Sequence, residues 1–256
     1  MINKRCGIYS FPKSGNTWMR EIIRGVFDQT GDTNDIVPDV YQKGIDGKVM
    51  ENSKGEQWVF YKSHSQKELT RYQGDAVKND LIIYITRNPF DVFCSQLNYL
   101  LRGFDPGKGG IQLASESIDE AKESGLVSDY FSSFLVFGTL MPFFKDAGSW
   151  MSNVEYWTQK AQKNDNIIVV KYEDMVGDIE KAMKPVLQAL GMPNSCLEKA
   201  INTAQSRTND GGKFFWKKQV GTFREYLDAP QVDKFQSSYP QVMSGARYNH
   251  ISIESN

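Results

Sequence analysis

The stretch from Cys6 to Trp18, CGIYSFPKSGNTW, decides how the rest of the chain is read. Its first half, CGIYSF, is a short β-prone run that breaks at Pro12 and enters a glycine-containing turn, KSGNT. Trp18, Ile22, Ile23 and Val26 then recur at helical spacing, so the segment predicts strand, tight loop and helix. A loop that delivers a strand into a helix N-terminus aims several backbone N–H groups one way. With the helix dipole they attract an anion. Gly15 lets the backbone approach an oxyanion closely. Ser14, Asn16 and Thr17 add side-chain donors, and Lys13 adds a mobile positive charge. The pattern is not a Walker A loop, in which Gly-Lys-Ser/Thr closes a longer turn; here the lysine comes first. The plain alternative is an ordinary strand-to-helix turn with a surface lysine.

Three further β-prone runs follow: Trp58 to Lys62 (WVFYK), Leu81 to Thr86 (LIIYIT) and Asn166 to Tyr172 (NIIVVKY). The second is almost continuously apolar, the mark of a strand buried on both faces. Pro89 suits a helix start through Leu101. A helical stretch after Asp174 ends near Leu190, with Gly191 as its C-cap. Strands alternating with helices predict an α/β fold with a central parallel sheet flanked by helices. Ligands of such sheets bind beyond the carboxyl ends of the strands, and each polar cluster of this chain follows a strand. Gly103 to Gly110 and Asn209 to Lys218 read as loops.

The chain has 256 residues, near the upper limit for one core, so a single domain over 1–256 is expected. Its net charge of −1 provides no global field for nucleic acid or acidic membranes. Cys6, Cys94 and Cys196 are odd in number and widely spaced, which argues against a disulfide framework and a zinc site. The N-terminus lacks a signal-like apolar run, and no stretch approaches the ~20 apolar residues that span a bilayer. The longest apolar-rich region, Tyr130 to Phe144, is broken by Ser132, Ser133, Gly138 and Pro142. These features predict a cytoplasmic protein with no membrane or nucleic-acid partner.

After LIIYIT comes RNPFDVFCS. Ser95 lies about two helical turns beyond Arg87, so a guanidinium and a hydroxyl can converge on a phosphate. A strand-end arginine paired with Asp91 is the structural alternative. His64 follows the strand WVFYK, at the same sheet edge. Histidine suits a general base near neutrality, although a lone histidine is more often structural. His250 has no partner motif, and two imidazoles support metal catalysis poorly.

As a string, FPKSGNTW resembles the phosphosulfate loop of the cytosolic-type sulfotransferase family, Pro-Lys-Ser-Gly-Thr/Asn-Thr-Trp. RNPFDVFCS resembles that family's 3′-phosphate motif, Arg-Asn-Pro-x-Asp-x-x-x-Ser, at every specified position. Lys62-Ser63-His64 resembles its Lys-Thr/Ser-His, and Tyr172-Glu173-Asp174-Met175 its Tyr-Glu-Asp-Met/Leu. Gly148-Ser149-Trp150 matches a helix start that packs under the sheet. The resemblance runs from about residue 7 to about residue 235. It implies a P-loop-NTPase-like three-layer fold and transfer of a sulfuryl group from 3′-phosphoadenosine-5′-phosphosulfate (PAPS) to a small-molecule acceptor, leaving the bisphosphate product PAP, with no metal.

The implied roles are these. Lys13 contacts the bridging and sulfuryl oxygens; Ser14, Gly15, Asn16 and Thr17 hold the 5′-phosphate; Trp18 and Tyr172 flank the adenine. Arg87 and Ser95 take the 3′-phosphate, with Asn88, Pro89 and Asp91 as scaffold. His64 is the base and Lys62 supports the transferring group. Ser206 matches weakly a family Ser/Thr near the nucleotide. The family's lid, Arg-Lys-Gly-x-x-Gly-x-Trp, is matched poorly by Trp216 to Arg224. Anchored on Gly221, Trp216 replaces its Arg, Lys218 its first Gly and Phe223 its Trp, while Lys217 keeps the charge. An alternative register with a one-residue deletion puts Lys217 and Lys218 on the basic pair, so Lys217 is a candidate phosphate ligand in both and Lys218 in the second. Its usual dimer motif is missing, so monomer and homodimer both stay open.

The acceptor pocket is expected among Phe104, Tyr130, Phe131, Phe134, Phe137, Phe143 and Phe144, although most of these simply fill the core. Two rival readings are a P-loop nucleotide kinase, which shares the architecture but would need Mg-ATP, and a nucleotide-binding module without catalysis.

Overall fold

Strand β1 (Lys4–Ser10) is the centre of the molecule, and the chain returns to its two sides in turn. The computed structural model describes residues 3–103, 115–208 and 219–254. In chain order, β1 is followed by α1 (Asn16–Val26), α2 (Thr33–Ile36), β2 (Met50–Glu51), β3 (Gln57–Ser63), a small hairpin of β4 (Arg71–Tyr72) and β5 (Asp75–Ala76), and β6 (Leu81–Thr86). Then come α3 (Pro89–Gly103), α4 (Ile118–Glu123), α5 (Leu126–Phe137), α6 (Trp150–Ala161), β7 (Ile167–Lys171), α7 (Tyr172–Gly177), α8 (Ile179–Leu190) and α9 (Leu197–Thr208). The described chain ends with α10 (Ala229–Ser238) and α11 (Pro240–Gly245).

The main sheet has the order β2-β3-β1-β6-β7. β3, β1, β6 and β7 are parallel, and β2 pairs antiparallel at the edge. The order reverses at β1, which opens a crevice beyond the strand ends. The register brings those ends level. Tyr9 faces Ser63 on one side and Tyr84 on the other, and Thr86 faces Lys171. Residues that follow the four strands therefore leave the sheet at one edge.

Alternation along the strands divides the core in two. Cys6, Ile8, Ile83 and Ile85 pack with Met19, Ile22 and Ile23 of α1 and with the apolar stripes of α8 and α9. Tyr9, Tyr61, Tyr84 and Ile82 pack on the other face with α3, α5, α6 and α10, through Phe90, Phe93, Phe131, Phe134, Trp150, Trp157 and Phe235. Helices cover both faces, so the interior strands need no polar side. α1 and α9 approach unusually closely at Gly25, where a Cβ would lie 2.7 Å from Ala200 Cα.

All four strands expected from sequence are present, with ends shifted by a residue or so, and Gly191 caps α8 in the left-handed conformation as expected. β2 and the β4–β5 hairpin are additions: too short to show a period, they are set by pairing rather than by pattern. The stretch from Tyr130 to Phe144, read as apolar but interrupted, holds most of α5, which stops at left-handed Gly138. Among the described residues no helix is long and apolar enough to cross a membrane. Of the loop expected over Gly103 to Gly110 all but Gly103, and the whole of Asn209 to Lys218, lie outside the described residues.

Candidate functional site

The β1–α1 loop is built for close approach to its backbone. Ser14 N–H donates to Phe11 O at 3.2 Å and closes the turn. Lys13 adopts φ 73°, a left-handed conformation that a side-chain-bearing residue takes only where its surroundings enforce it. Gly15 follows at φ 100° as the N-cap of α1, and a Cβ there would lie 2.6 Å from the Tyr172 ring. No side chain caps α1. Its first-turn N–H groups lack intrahelical partners by geometry and carry the positive end of the dipole. Two donors near this loop are buried without a protein partner: Ser14 Oγ and Arg87 Nε. Buried donors are normally satisfied, and Arg87, which lines the cleft described below, is placed to meet an anion there.

Arg87 leaves β6 8% exposed. Its guanidinium lies 4.3 Å from the Tyr172 ring centroid and donates to Gln219 O at 3.0 Å and to Lys13 O at 3.4 Å. The pairing with Asp91 considered from sequence exists only at 3.9 Å. Asp91 is instead the pin of the C-terminal segment: its carboxylate accepts from Gly221 N–H at 2.8 Å and Phe223 N–H at 3.1 Å. Asn88 caps α3 by accepting from Asp91 N–H at 2.8 Å, and its amide donates to the Asp91 carboxylate. Trp150 Nε1–H donates to Arg87 O at 3.0 Å, so this core tryptophan also fixes the strand end.

His64 follows β3 and is 8% exposed. Its Nδ1 lies 2.9 Å from Ser10 O. A carbonyl only accepts, so Nδ1 carries the proton and Nε2 is the ring nitrogen left with a lone pair. Burial, reinforced by the nearby Lys62 ammonium, pushes the imidazole well below its usual 6.5, so it is neutral at physiological pH. Lys62 Nζ lies 2.5 Å from Asp39 Oδ2. Burial lowers the Lys62 ammonium from its ordinary range while Asp39 opposes that shift.

One cleft of about 730 Å³ collects these groups. Lys13, Gly15, Asn16, Thr17, Trp18, Arg87, Ser95 and Tyr172 are among the residues that line it. Trp18 and Tyr172 meet edge to face there, with centroids 5.8 Å apart. Lys62, His64, Asp39, Tyr41, Tyr99, Met141 and Phe144 line it as well. Lys13 Nζ sits 4.4 Å from the Tyr99 ring centroid.

Several sequence-selected residues take other positions. Ser14 is buried behind the loop rather than on the cleft wall. Asn16 lines the cleft, but its amide donates to Ile8 O at 3.3 Å and Ser10 Oγ at 3.1 Å, holding the loop to β1. Ser206 is exposed and donates to Thr203 O; its neighbours Gln205 and Arg207 line the cleft instead. Lys217 and Lys218 lie outside the described residues, as does Phe104. Of the aromatic residues considered for the acceptor pocket, Phe144 lines the cleft, with its ring 5.5 Å from His64. Phe131 and Phe134 are core residues, while Phe137 and Phe143 are exposed. Asp39, Arg20 and Tyr99 line the cleft without any motif to announce them. Arg20 had one available signal, a charge within the turn that carries Met19 and Ile22 into the core.

A sequence model described as the sulfotransferase domain matches residues 4–247. Cytosolic sulfotransferase 14 of Arabidopsis thaliana is 24% identical, covering 93% of this chain and 74% of that protein. Sulfotransferase 1E1 of Bos taurus is 25% identical, covering 93% and 83%. A crystal structure of mouse sulfotransferase SULT7A1 complexed with PAP superposes with a TM-score of 0.64 at 19% identity, covering 97% of this chain and 87% of that one. At that identity the likeness establishes a shared fold.

Proposed function

The chain belongs to the sulfotransferase family, and from that premise we propose that it transfers the sulfuryl group of PAPS to a hydroxyl, or an amine, of a small acceptor. The observation that carries this reading is the convergence of the Lys13 loop, neutral His64 and buried Arg87 on one cleft. The α1 N-terminus and Thr17 hold the 5′-phosphate, and Arg87 and Ser95 the 3′-phosphate. Trp18 and Tyr172 flank the adenine. The Lys217–Lys218 pair, immediately before the Gln219 carbonyl that accepts from Arg87, is assigned to the 3′-phosphate as well.

The chemistry needs little covalent help from the protein and much positioning. The acceptor oxygen attacks sulfur in line, its O–H proton passes to His64 Nε2, and the new O–S bond forms. The bond from sulfur to the bridging oxygen breaks, leaving its electron pair on the 5′-phosphate of PAP. Lys13 and Lys62 offset the charge that gathers on the bridging and sulfuryl oxygens. Tyr99, Met141 and Phe144 give the acceptor a partly apolar wall, which suits a phenol or an alcohol on an apolar frame.

Calorimetry with PAP in EDTA, followed by PAPS turnover over a panel of phenols, alcohols and amines, tests the reading. PAP should bind without magnesium, and at least one acceptor should be sulfated. Binding of Mg-ATP in preference to PAP would overturn it in favour of a kinase.

A further inference from the structure

We propose that Asp39 is a positioning residue for Lys62, fixing its ammonium beside His64 in the cleft. The inference rests on the reading that Lys62 supports the transferring group.

Register places the pair. The segment from Pro38 to Val40 lies along β3 as a single parallel bridge centred on Asp39 and Lys62. Lys62 N–H donates to Pro38 O at 2.8 Å, and Val40 N–H donates to Lys62 O at 3.0 Å. These two bonds bracket Asp39 and bring it alongside Lys62. The salt bridge at 2.5 Å is the side-chain result of that backbone register. The other carboxylate oxygen, Oδ1, accepts from Tyr41 N–H at 3.1 Å, so the carboxylate is held at both oxygens.

Asp39 is 8% exposed and Lys62 7%, and both line the cleft. A buried ion pair is a poor device for stability, since an apolar pair of similar volume often does as well. Its use here is to keep a cation charged where water is scarce. The charged and titratable groups around Lys62 are Asp39 and Tyr41 from this segment, Arg20 from α1, His64 at the end of β3, and Lys13 from the β1–α1 loop. Arg20 and Lys13 are cations and His64 is neutral; Glu21 and Asp32 also line the cleft, but Asp39 is the carboxylate paired with Lys62. Without it, burial and Arg20 both favour the neutral amine.

Asp39→Asn, with Asp39→Glu as the conservative control, tests this. In Asp39→Asn, kcat should fall about tenfold or more while PAP affinity stays within about twofold. Lys62 should lose its proton at lower pH, so the alkaline limb of kcat should move down by about one pH unit or more. Asp39→Glu should recover part of both effects. In a Lys62→Met background, Asp39→Asn should cost little further turnover. A merely structural role would lower thermal stability and PAP affinity together and leave the alkaline limb in place. Titration of the lysine side chains by NMR in 13C-lysine-labelled protein, with Lys62→Met to assign the signal, reads the pair without any turnover. An unchanged Lys62 titration in Asp39→Asn would overturn the inference even in an active enzyme. A shifted titration in an enzyme that sulfates no acceptor would instead leave the pairing intact and fault the assigned reaction.

Discussion

The residues proposed for the donor end and those proposed for the acceptor end of the cleft come from the chain in different ways. The donor end is largely backbone: a left-handed loop, the uncapped start of α1 and a strand-end arginine, each contributed by a run of adjacent residues. The acceptor end is side chains from segments far apart in sequence, Asp39 and Tyr41 before β3, Tyr99 on α3, Met141 and Phe144 between α5 and α6. Phosphate has one shape and charge, so a fixed backbone cradle serves it. An acceptor varies from one substrate to another, and side chains on loops can change without disturbing the sheet.

His64 lines the same cleft as the proposed base, and its removal is the largest expected effect. His64→Ala should lower turnover by about 10²- to 10⁴-fold while PAP affinity, measured by calorimetry, stays nearly unchanged. Near-normal turnover would take the base role from His64. The pH dependence sharpens the same point. The neutral ring is the active form, and its affinity for a proton is depressed from 6.5. Loss of rate by protonation should therefore begin only below pH 6.5, and an acid limb at or above that value would contradict the buried geometry.

Asp91→Ala probes the tertiary pin under the donor end. It leaves two buried N–H groups, of Gly221 and Phe223, without their acceptor. At about 1–3 kcal/mol for a buried unsatisfied donor, urea unfolding should show a loss of about 2 kcal/mol or more. A loss within error would mean that other contacts, among them Arg87 to Gln219 O and Phe223 against Phe90, suffice to hold the C-terminal segment.

Gly15→Ala asks whether the cradle depends on a backbone that only glycine takes easily. A left-handed alanine costs about 1–2 kcal/mol, and here its Cβ also meets the Tyr172 ring. PAP affinity should fall about tenfold. Wild-type affinity would show that the loop binds in another conformation. The smallest effect belongs to the acceptor wall: Phe144→Ala should raise acceptor KM a few-fold and leave PAP affinity alone. An equal loss of PAP affinity would erase the division between the two ends.

The donor end was legible because its residues are neighbours. A Pro-Lys-Ser-Gly run after an apolar strand fixes the local geometry of a strand-loop-helix, and the next two strands end in Lys62-Ser63-His64 and Arg87-Asn88-Pro89. Other readings failed for stated reasons. Ser206 has a suitable hydroxyl, but it donates to Thr203 O within α9, while Gln205 and Arg207 line the cleft. Phe131 and Phe134 look like pocket residues by type, yet they pack against Phe93 and Phe235 beneath it. Apolar composition marks a residue for burial without saying against what.

By itself the sequence determined the strand-helix alternation and nominated the anion loop and the base, because period and turn chemistry act over a few adjacent residues. Only the tertiary structure decided that Asp39 lies against Lys62, that Asp91 ties down Gly221 and Phe223, and that Phe144 alone of its aromatic neighbours on the described chain stands over His64. Those contacts join segments that nothing local connects. They exist because parallel strands ending at one level bring their following loops into the same few ångströms.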